Sequence, residues 1–166
     1  MRWYKQGSPH TVKEVSYNTP EEAFEARTEW QGDCLVWTGA KDYDGYGAIW
    51  DGSANQGTHK YSWEKVNGKV PFGLYVDHRC HNKSCCNIEH LRLATSSQNG
   101  ANRVGLVSSN SSGHTNVRIR KSGFEVSLTK DNRFIYVGMF KSIDEALAAR
   151  DSAREKHFGE FKGNVT

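Results

Sequence analysis

The feature that most constrains this chain is a group of thiol and imidazole side chains between residues 80 and 90. Cys80, Cys85 and His90 recur at five-residue intervals in a polar segment. Two thiolates and an imidazole at such spacings can fold around one tetrahedral zinc ion. Cys34, the only cysteine outside the segment, is the natural fourth ligand. The spacing therefore predicts a closed structural zinc site of three cysteines and one histidine.

Other uses of the four cysteines fit the sequence less well. Two disulfides are conceivable, but three cysteines crowd within seven residues and nothing marks secretion, which favours metal binding in a reducing compartment. Unliganded core thiols are the other alternative, but the segment is too polar to give buried thiols their usual apolar surroundings. We expect Cys86 to be a packed or a spare thiol, because its side chain must diverge from that of Cys85. His81 is a rival ligand in the same loop.

The composition argues against a membrane protein and against a disordered one. Of the 166 residues, 36% are hydrophobic and 11% aromatic, and the net charge is +3. No run approaches the roughly 18 apolar residues that a spanning helix needs, and Met1–Lys5 lacks the apolar stretch of a secretory signal. We therefore expect a cytoplasmic protein with no membrane partner, built from one ordinary domain or two small ones. Two small hydrophobic cores would be only marginally stable without a cross-link such as a structural metal site.

Capping and turn signals divide the first two thirds of the chain into short elements. Thr19 and Glu22 form a capping box that predicts a helix running to about Trp30. Short strands are predicted at 34–37 and 46–50, paired as a hairpin around a turn-rich tract. The other expected elements are a helix over 59–66, strands over 74–78 and 91–93, and a short helix, opened by the capping box of Thr95 and Gln98, that carries Asn99.

A polar tract at 107–113 is the best linker candidate and divides the chain into two predicted domains. Residues 1–110 hold 12 basic and 12 acidic side chains, whereas residues 111–166 hold 10 basic and 7 acidic ones, so the excess charge lies in the second domain. Strands at 116–120, 124–129 and 134–137, followed by a helix capped by Ser142 and Glu145, predict a three-stranded antiparallel sheet backed by one helix. The predicted domains are residues 1–106, with a helical segment at 18–30 and a core at 30–105, and residues 114–166.

The segment from Val76 to Leu91 carries further polar groups in a recognisable order. Asp77 and His78 end a predicted strand, Asn87 lies in the cysteine-rich loop, and Asn99 follows His78 by 21 residues. Together with the cysteine spacing, this order resembles the HNH endonucleases, the ββα-metal or His-Me finger nucleases. The resemblance spans residues 30–105 and is greatest to the zinc-bearing members and the His-Cys box homing enzymes.

This resemblance implies an α+β fold with a zinc-stabilised ββα-metal nuclease domain. It implies that His78 is the general base, and that Asp77 and Asn99 hold one Mg²⁺ or Mn²⁺ ion at the scissile phosphate. Asn87 would brace the loop and orient the imidazole of His78, and zinc would do no chemistry. His59 falls where many of these nucleases have a histidine that assists the phosphate.

Each of these residues also has a simpler interpretation. Asp77 could be a turn former at a strand end, His78 a solvated histidine and Asn99 an amide on a helix surface. His59 is followed by Lys60 where the family often has arginine, and lysine offers a point charge without bidentate geometry.

The C-terminal segment carries a second resemblance. Its motifs are Asn116–Arg120, Gly123–Val126, Tyr136–Phe140, Glu145–Asp151 and Phe158–Glu160. With these motifs, residues 113–164 resemble the DNA-binding domain of plant APETALA2/ethylene-response factors. Apolar and polar residues alternate along the strands, which predicts one face covered by the helix and one face turned to DNA. The expected DNA-binding residues are Arg118, Arg120, Lys121, Lys130, Arg133 and Tyr136. A solvated face of a small structural domain is the alternative.

The two resemblances together predict a homing endonuclease of phage type. It would hydrolyse phosphodiester bonds at specific sites in double-stranded DNA, as a monomer or homodimer and with no small-molecule substrate. A phage-encoded enzyme would act in the cytoplasm of the bacterial host. Two alternatives remain at this point: a loosely specific HNH nuclease for host DNA degradation or packaging, and a zinc-stapled DNA-binding protein without catalysis.

Overall fold

A computed structural model describes residues 17–103 and 110–163 of the chain. These residues form an α+β protein of short helices and small antiparallel sheets. Residues 107–109 of the predicted linker lie outside the described part. None of the described helices is long and apolar enough to span a membrane.

The first described segment, up to Arg103, contains three helices and three two-stranded sheets. Strands β1 and β2, β3 and β4, and β5 and β6 pair antiparallel as three hairpins. In chain order the elements are α1 (Pro20–Ala26), β1 (Thr28–Gln31), β2 (Cys34–Trp37), β3 (Ala48–Trp50), β4 (Asn55–Gly57), α2 (Thr58–Asn67), β5 (Leu74–His78), β6 (Leu91–Thr95) and α3 (Ser96–Ala101).

Two expectations for this segment are wrong. Helix α1 ends at Ala26 and not near Trp30, because residues 28–31 form β1 and pair with β2 across a tight turn. Gly32 allows that turn through its positive φ of 58°. The predicted hairpin between 34–37 and 46–50 is not formed either. Strand β3 pairs with β4 instead, since Asp51 accepts hydrogen bonds from the backbone of the intervening turn.

The core beneath these hairpins is aromatic. Phe24, Trp37, Ile49, Tyr61 and Cys86 form one buried cluster, and Trp37 is only 1% exposed. Packing in this cluster raises the pKa of the Cys86 thiol to about 11, because burial disfavours the thiolate. The expectation that Cys86 is a packed thiol is therefore confirmed.

The second described segment forms one sheet and one long helix. Strands β7 (Val117–Arg120), β8 (Gly123–Lys130) and β9 (Arg133–Phe140) pair antiparallel in that order, and α4 (Ile143–Phe158) follows. The capping box of Ser142 and Glu145 is present at the start of α4. Helix α4 covers the inner face of the sheet, where Val117, Val126 and Ala146 form a buried cluster.

The two segments share a hydrophobic core. Ala94 of β6 packs with Leu128 of β8, Phe158 of α4 and the buried Phe161 beyond it. Polar contacts reinforce this interface, since the Arg154 guanidinium donates to the Ala101 carbonyl over 2.7 Å. The sheet-and-helix unit therefore packs directly against the hairpin β5–β6 and against α3.

Candidate active site and metal centre

The predicted zinc ligands come together in the structure. One ligand atom from each of Cys34, Cys80, Cys85 and His90 lies within 4.8 Å of the others. His90 Nδ1 is 3.5 Å from Cys34 Sγ and 3.6 Å from Cys85 Sγ. A tetrahedral zinc ion with ordinary Zn–S and Zn–N bonds separates sulfur and nitrogen ligands by about 3.5 Å. The four cysteines are unpaired, so the group is a candidate zinc site.

Backbone bonds to strand β2 hold this loop in place. The Cys86 amide donates to the Leu35 carbonyl over 2.6 Å, and the Trp37 amide donates to the Ser84 carbonyl over 2.8 Å. These bonds bring Cys34, at the start of β2, beside a loop some 50 residues away in the chain. His81, the rival ligand, is outside the group.

Two thiols of the candidate zinc site have raised pKa values. Burial raises the pKa of Cys85 to about 12 and raises the pKa of Cys80 as well. A bound zinc ion reverses this preference, because it binds the thiolate form. The Asn87 amide donates to Cys85 Sγ over 3.4 Å, which also favours the thiolate.

The side chain of Asn87 forms hydrogen bonds within the loop and to the β1–β2 turn. Its side-chain amide donates to the Asp33 carbonyl over 2.8 Å, and its side-chain oxygen accepts from the Glu89 amide over 3.1 Å. These bonds brace the loop against the β1–β2 turn. The imidazole that Asn87 was expected to orient is held instead by the Cys85 carbonyl.

His78 ends strand β5 and is buried with its ring fixed by one hydrogen bond. Its Nε2 lies 3.0 Å from the Cys85 carbonyl oxygen. A carbonyl can only accept, so Nε2 carries the proton and Nδ1 keeps a free lone pair. Burial is the main cause that lowers the pKa of His78, which favours the neutral ring. The arrangement suits a proton acceptor.

The ring of His59 packs beside His78 in an open groove of about 1010 Å³. The two ring centroids are 4.8 Å apart, and the Tyr46 ring lies 5.4 Å from His59 and 6.0 Å from His78. Burial and then the charge of His78 lower the pKa of His59 to about 4. Gly57 makes room for this ring, because a Cβ there would lie 2.6 Å from His59 Cε1.

Asp77 is buried on the same hairpin and is held by two side chains. Arg92 Nε donates to Oδ2 over 2.9 Å, and Asn102 Nδ2 lies 2.9 and 3.0 Å from the two carboxylate oxygens. Asp77 and Asn99 both line the groove that holds His78. Carboxylate and amide oxygens of this kind are the ligands that Mg²⁺ or Mn²⁺ prefers, so the residues fit a divalent cation.

Sequence reasoning did not assign a role to Arg92 or Asn102. Arg92 stands between Leu91 and Leu93 in the strand predicted at 91–93. A charged residue flanked by leucines in a short strand signals a buried ion-pair partner. Asn102 follows Asn99 by three residues, which places both on one side of a helical turn.

The expected DNA-binding residues occupy different environments. Arg118 and Arg120 lie on the outer face of the sheet, and both reach Glu125, at 3.7 and 2.9 Å. Tyr136 is exposed on the same face, and Lys121 and Arg133 are exposed at the turns. Lys130 differs, because its ammonium donates to the His157 carbonyl over 2.7 Å at the end of α4.

A second groove of about 970 Å³ lies between α3 and the C-terminal sheet. Arg118, Arg120 and Phe134 line it from the sheet, and Arg103 lines both this groove and the one that holds His78. The Asp131 amide donates to Ser97 Oγ over 2.9 Å and fixes the β8–β9 turn against α3. The two grooves therefore flank one short helix.

Comparison with known proteins matches the part of the chain that holds this site. Residues 56–101 match the sequence model of the HNH endonuclease family. Protein 7.7 of Escherichia phage T7 is 39% identical over 72 residues, covering 43% of this chain and 55% of the relative. An uncharacterized HNH endonuclease of Acanthamoeba polyphaga mimivirus is 33% identical over 97 residues, covering 58% of this chain and 49% of the relative.

The gene 5.3 protein of Enterobacteria phage T3, uncharacterized, is 38% identical over 66 residues, covering 36% of this chain and 65% of the relative. The chain thus spans about half to two thirds of the length of these curated relatives. No solved structure gives a significant match. The match to the family model covers α2, β5 and β6 and reaches the end of α3, so it includes His59, His78 and Asn99.

Proposed function

We propose that this chain is a DNA endonuclease in which His78 is the general base. The observation that carries the proposal is the hydrogen bond from His78 Nε2 to the Cys85 carbonyl, which leaves Nδ1 free at the groove. Nδ1 takes a proton from a water molecule as the water oxygen attacks phosphorus. The bond from phosphorus to the 3′ oxygen breaks, which leaves a 5′ phosphate on one fragment and a 3′ oxygen that takes a proton from solvent water and becomes a hydroxyl.

The residues around His78 complete this proposed site. Asp77 and Asn99 would hold one Mg²⁺ or Mn²⁺ ion, which when bound stabilises the charge of the pentacovalent phosphate and of the departing oxygen. His59 lines the groove beside the general base, where it can donate to or pack against the phosphate. In this proposal β5, β6 and α3 form the ββα-metal unit of the HNH nucleases.

Zinc has a separate, structural role in the proposal. Cys34, Cys80, Cys85 and His90 form a closed four-ligand set, which leaves no open position for substrate. The carbonyl that holds His78 belongs to Cys85. Zinc would therefore fix the loop on which the orientation of the general base depends.

We further propose that the C-terminal sheet and α4 form an APETALA2-like DNA-binding unit that makes cleavage site-specific, as in a homing endonuclease. The support is the outer face of the sheet, where Arg118 and Arg120 border a groove beside α3 and Tyr136 is exposed to solvent. Side chains of these types contact base edges and phosphates in DNA complexes. One active site cuts one strand, so a double-strand break would require a dimer or a second encounter.

A loosely specific nuclease is the second candidate function. The observation that favours it is Glu125, which pairs with both Arg118 and Arg120 and so neutralises part of the face expected to read DNA. Mapping cuts in a library of random duplexes separates the two candidates. A single recurring sequence is expected for site-specific cleavage, whereas scattered cuts would indicate loose specificity.

Cleavage of supercoiled plasmid in Mg²⁺ tests the catalytic proposal itself. Replacing His78 with alanine should slow nicking by about 10²- to 10⁴-fold, because a positioned general base contributes that much. His157→Ala is the matched control, since His157 lies in the last turn of α4 and does not line the groove. Equal nicking by wild type and His78→Ala would contradict the proposal, and no nicking by wild type would favour a zinc-stapled DNA-binding protein.

A further inference from the structure

The side chain of Arg92 connects the proposed catalytic hairpin with the C-terminal segment. It stands directly opposite Asp77 in the β5–β6 hairpin and is 7% exposed. Its Nε donates to Asp77 Oδ2 over 2.9 Å. Its Nη1 donates to the Glu160 backbone carbonyl over 2.8 Å and lies 3.2 Å from Glu160 Oε2. The guanidinium stacks 3.8 Å above the centre of the Phe161 ring.

The charge and the hydrogen-bond donors of a buried guanidinium have to be satisfied by neighbouring groups. An unpaired charge in the interior is strongly unfavourable, and a guanidinium presents its donors in a rigid planar fork. One edge of Arg92 is taken by Asp77, and the other is taken by Glu160. The ring of Phe161 covers the guanidinium plane. The position of Arg92 therefore depends on both segments.

The carboxylate of Asp77 depends on Arg92 in turn. Arg92 and Asn102 donate to its two oxygens from fixed positions and determine which lone pairs remain for a cation. Hydrogen-bond partners of metal ligands set the orientation of those ligands, and their loss usually costs about 10- to 100-fold in metal affinity or activity. Loss of the contacts at Arg92 would therefore weaken cation binding by Asp77 and slow the proposed cleavage step.

We propose that Arg92 is a positioning residue for Asp77, and that Glu160 and Phe161 support the active site through it. This inference rests on the proposed function, in which Asp77 is a ligand of the catalytic cation. The C-terminal unit then has a second task besides DNA placement. It completes the geometry of the nuclease site, so that cleavage requires its docked position.

The first test uses Arg92→Lys in the full-length, zinc-loaded protein. Lysine keeps the positive charge but cannot bond Asp77 and Glu160 at once. We expect Mn²⁺ binding, measured by electron paramagnetic resonance with Asp77→Asn defining binding at other sites, to weaken about 10- to 100-fold. The nicking rate constant at saturating protein should fall by a similar factor, while the protein concentration for half-maximal nicking stays unchanged.

The second test leaves the hairpin intact and so remains informative even where Arg92→Lys fails to fold. Glu160→Gln removes the carboxylate that lies near Arg92 and Arg79. Its matched control is Glu155→Gln, which removes an ion pair with Lys162 in the same region but does not contact Arg92. We expect Glu160→Gln to weaken Mn²⁺ binding and lower the saturating rate, and Glu155→Gln to change neither.

The outcomes separate this inference from the proposed function. Unchanged Mn²⁺ binding and an unchanged saturating rate in Arg92→Lys, or in Glu160→Gln where the first variant does not fold, would overturn the positioning role while leaving the nuclease proposal intact. Absence of nicking by wild type would overturn the nuclease proposal. The Mn²⁺ measurement would then still decide whether Arg92 positions Asp77.

Discussion

The Nε2 atom of His78 lies 3.0 Å from the carbonyl oxygen of Cys85, so the proposed general base is hydrogen-bonded to the backbone of a proposed zinc ligand. The Sγ atom of Cys85 belongs to the group of four candidate zinc ligands, and its backbone carbonyl contacts the imidazole of His78. The two sites therefore share one residue, although the zinc site takes no part in the proposed chemistry.

Loss of a zinc ligand should accordingly cost both folding and cleavage. We expect Cys80→Ser to lose its zinc and several kcal/mol of unfolding free energy, because zinc binding contributes directly to the stability of small domains. Metal analysis and thermal melting provide the measurement. Cys86→Ser is the control, since Cys86 is more deeply buried than Cys80 but lies outside the ligand group, and it should keep about one zinc per chain. Retained zinc in Cys80→Ser would refute the ligand assignment.

The pKa of His59 predicts how stability varies with pH. The folded protein lowers this pKa from 6.5 to about 4, so the unfolded chain takes up a proton first as the pH falls. The stabilising contribution is complete above pH 6.5 and is lost as the pH falls toward 4, by up to about 3 kcal/mol. Urea unfolding at pH 7.5 and 4.5 should show this loss in wild type but not in His59→Gln.

The comparison with His59→Gln cancels the other effects of acid on the protein. Loss of any bound zinc as its ligands protonate would affect both proteins alike, so only the difference between them reports on His59. Identical losses of stability in the two proteins would contradict the pKa assigned to this ring.

Lys130 and Arg133 lie on the two sides of the β8–β9 turn but should behave differently. The ammonium of Lys130 satisfies a carbonyl at the C-terminus of α4, so Lys130→Met should lower stability by about 1 kcal/mol. Arg133 is exposed, and Arg133→Met should lower the slope of log binding constant against log salt concentration by about one. Urea unfolding measures the stability of Lys130→Met, and titrations with duplex DNA at several salt concentrations measure the salt slope of both variants. A reduced salt slope for DNA binding in Lys130→Met would instead indicate that Lys130 contacts DNA, as predicted from the sequence.

Glu125 should weaken DNA binding through its pairing with Arg118 and Arg120. Hydrogen bonds from Arg120 lower the pKa of Glu125, so the carboxylate is ionised at neutral pH. Glu125→Gln should raise the affinity for duplex DNA by about fivefold at low salt, because it removes one negative charge from a face that borders water. Fluorescence anisotropy measures the change, and an unchanged affinity would indicate that this face does not contact DNA.

The sequence was most informative where structure depends on near neighbours. The spacing of Cys80, Cys85 and His90 predicted a ligand group that the structure brings together, and the cap residues at Thr95 and Ser142 marked the starts of α3 and α4. Strand β5 was predicted with its full range. Capping and loop spacing are local properties of the chain, which is why they can be read from a single sequence.

The errors concern partners that are distant in the chain. The apolar run at residues 34–37 indicates a strand, but it does not say that β1 is its partner. Likewise, nothing in the order of Asp77 and Arg92 reveals that Glu160 lies on the far side of the guanidinium. Such pairings are determined by packing of the whole chain. The same is true of Lys130, whose ammonium was expected to contact DNA but contacts the end of α4.

The shared core has a consequence for how such a chain can be altered by recombination. Leu128 and Phe158 are buried against Ala94, so exchanging either half for an unrelated unit would expose apolar surface on both pieces. A functional chimaera would have to inherit matched faces on β6, α3 and α4. The two halves are therefore constrained to evolve as a pair, even though each has a sheet of its own.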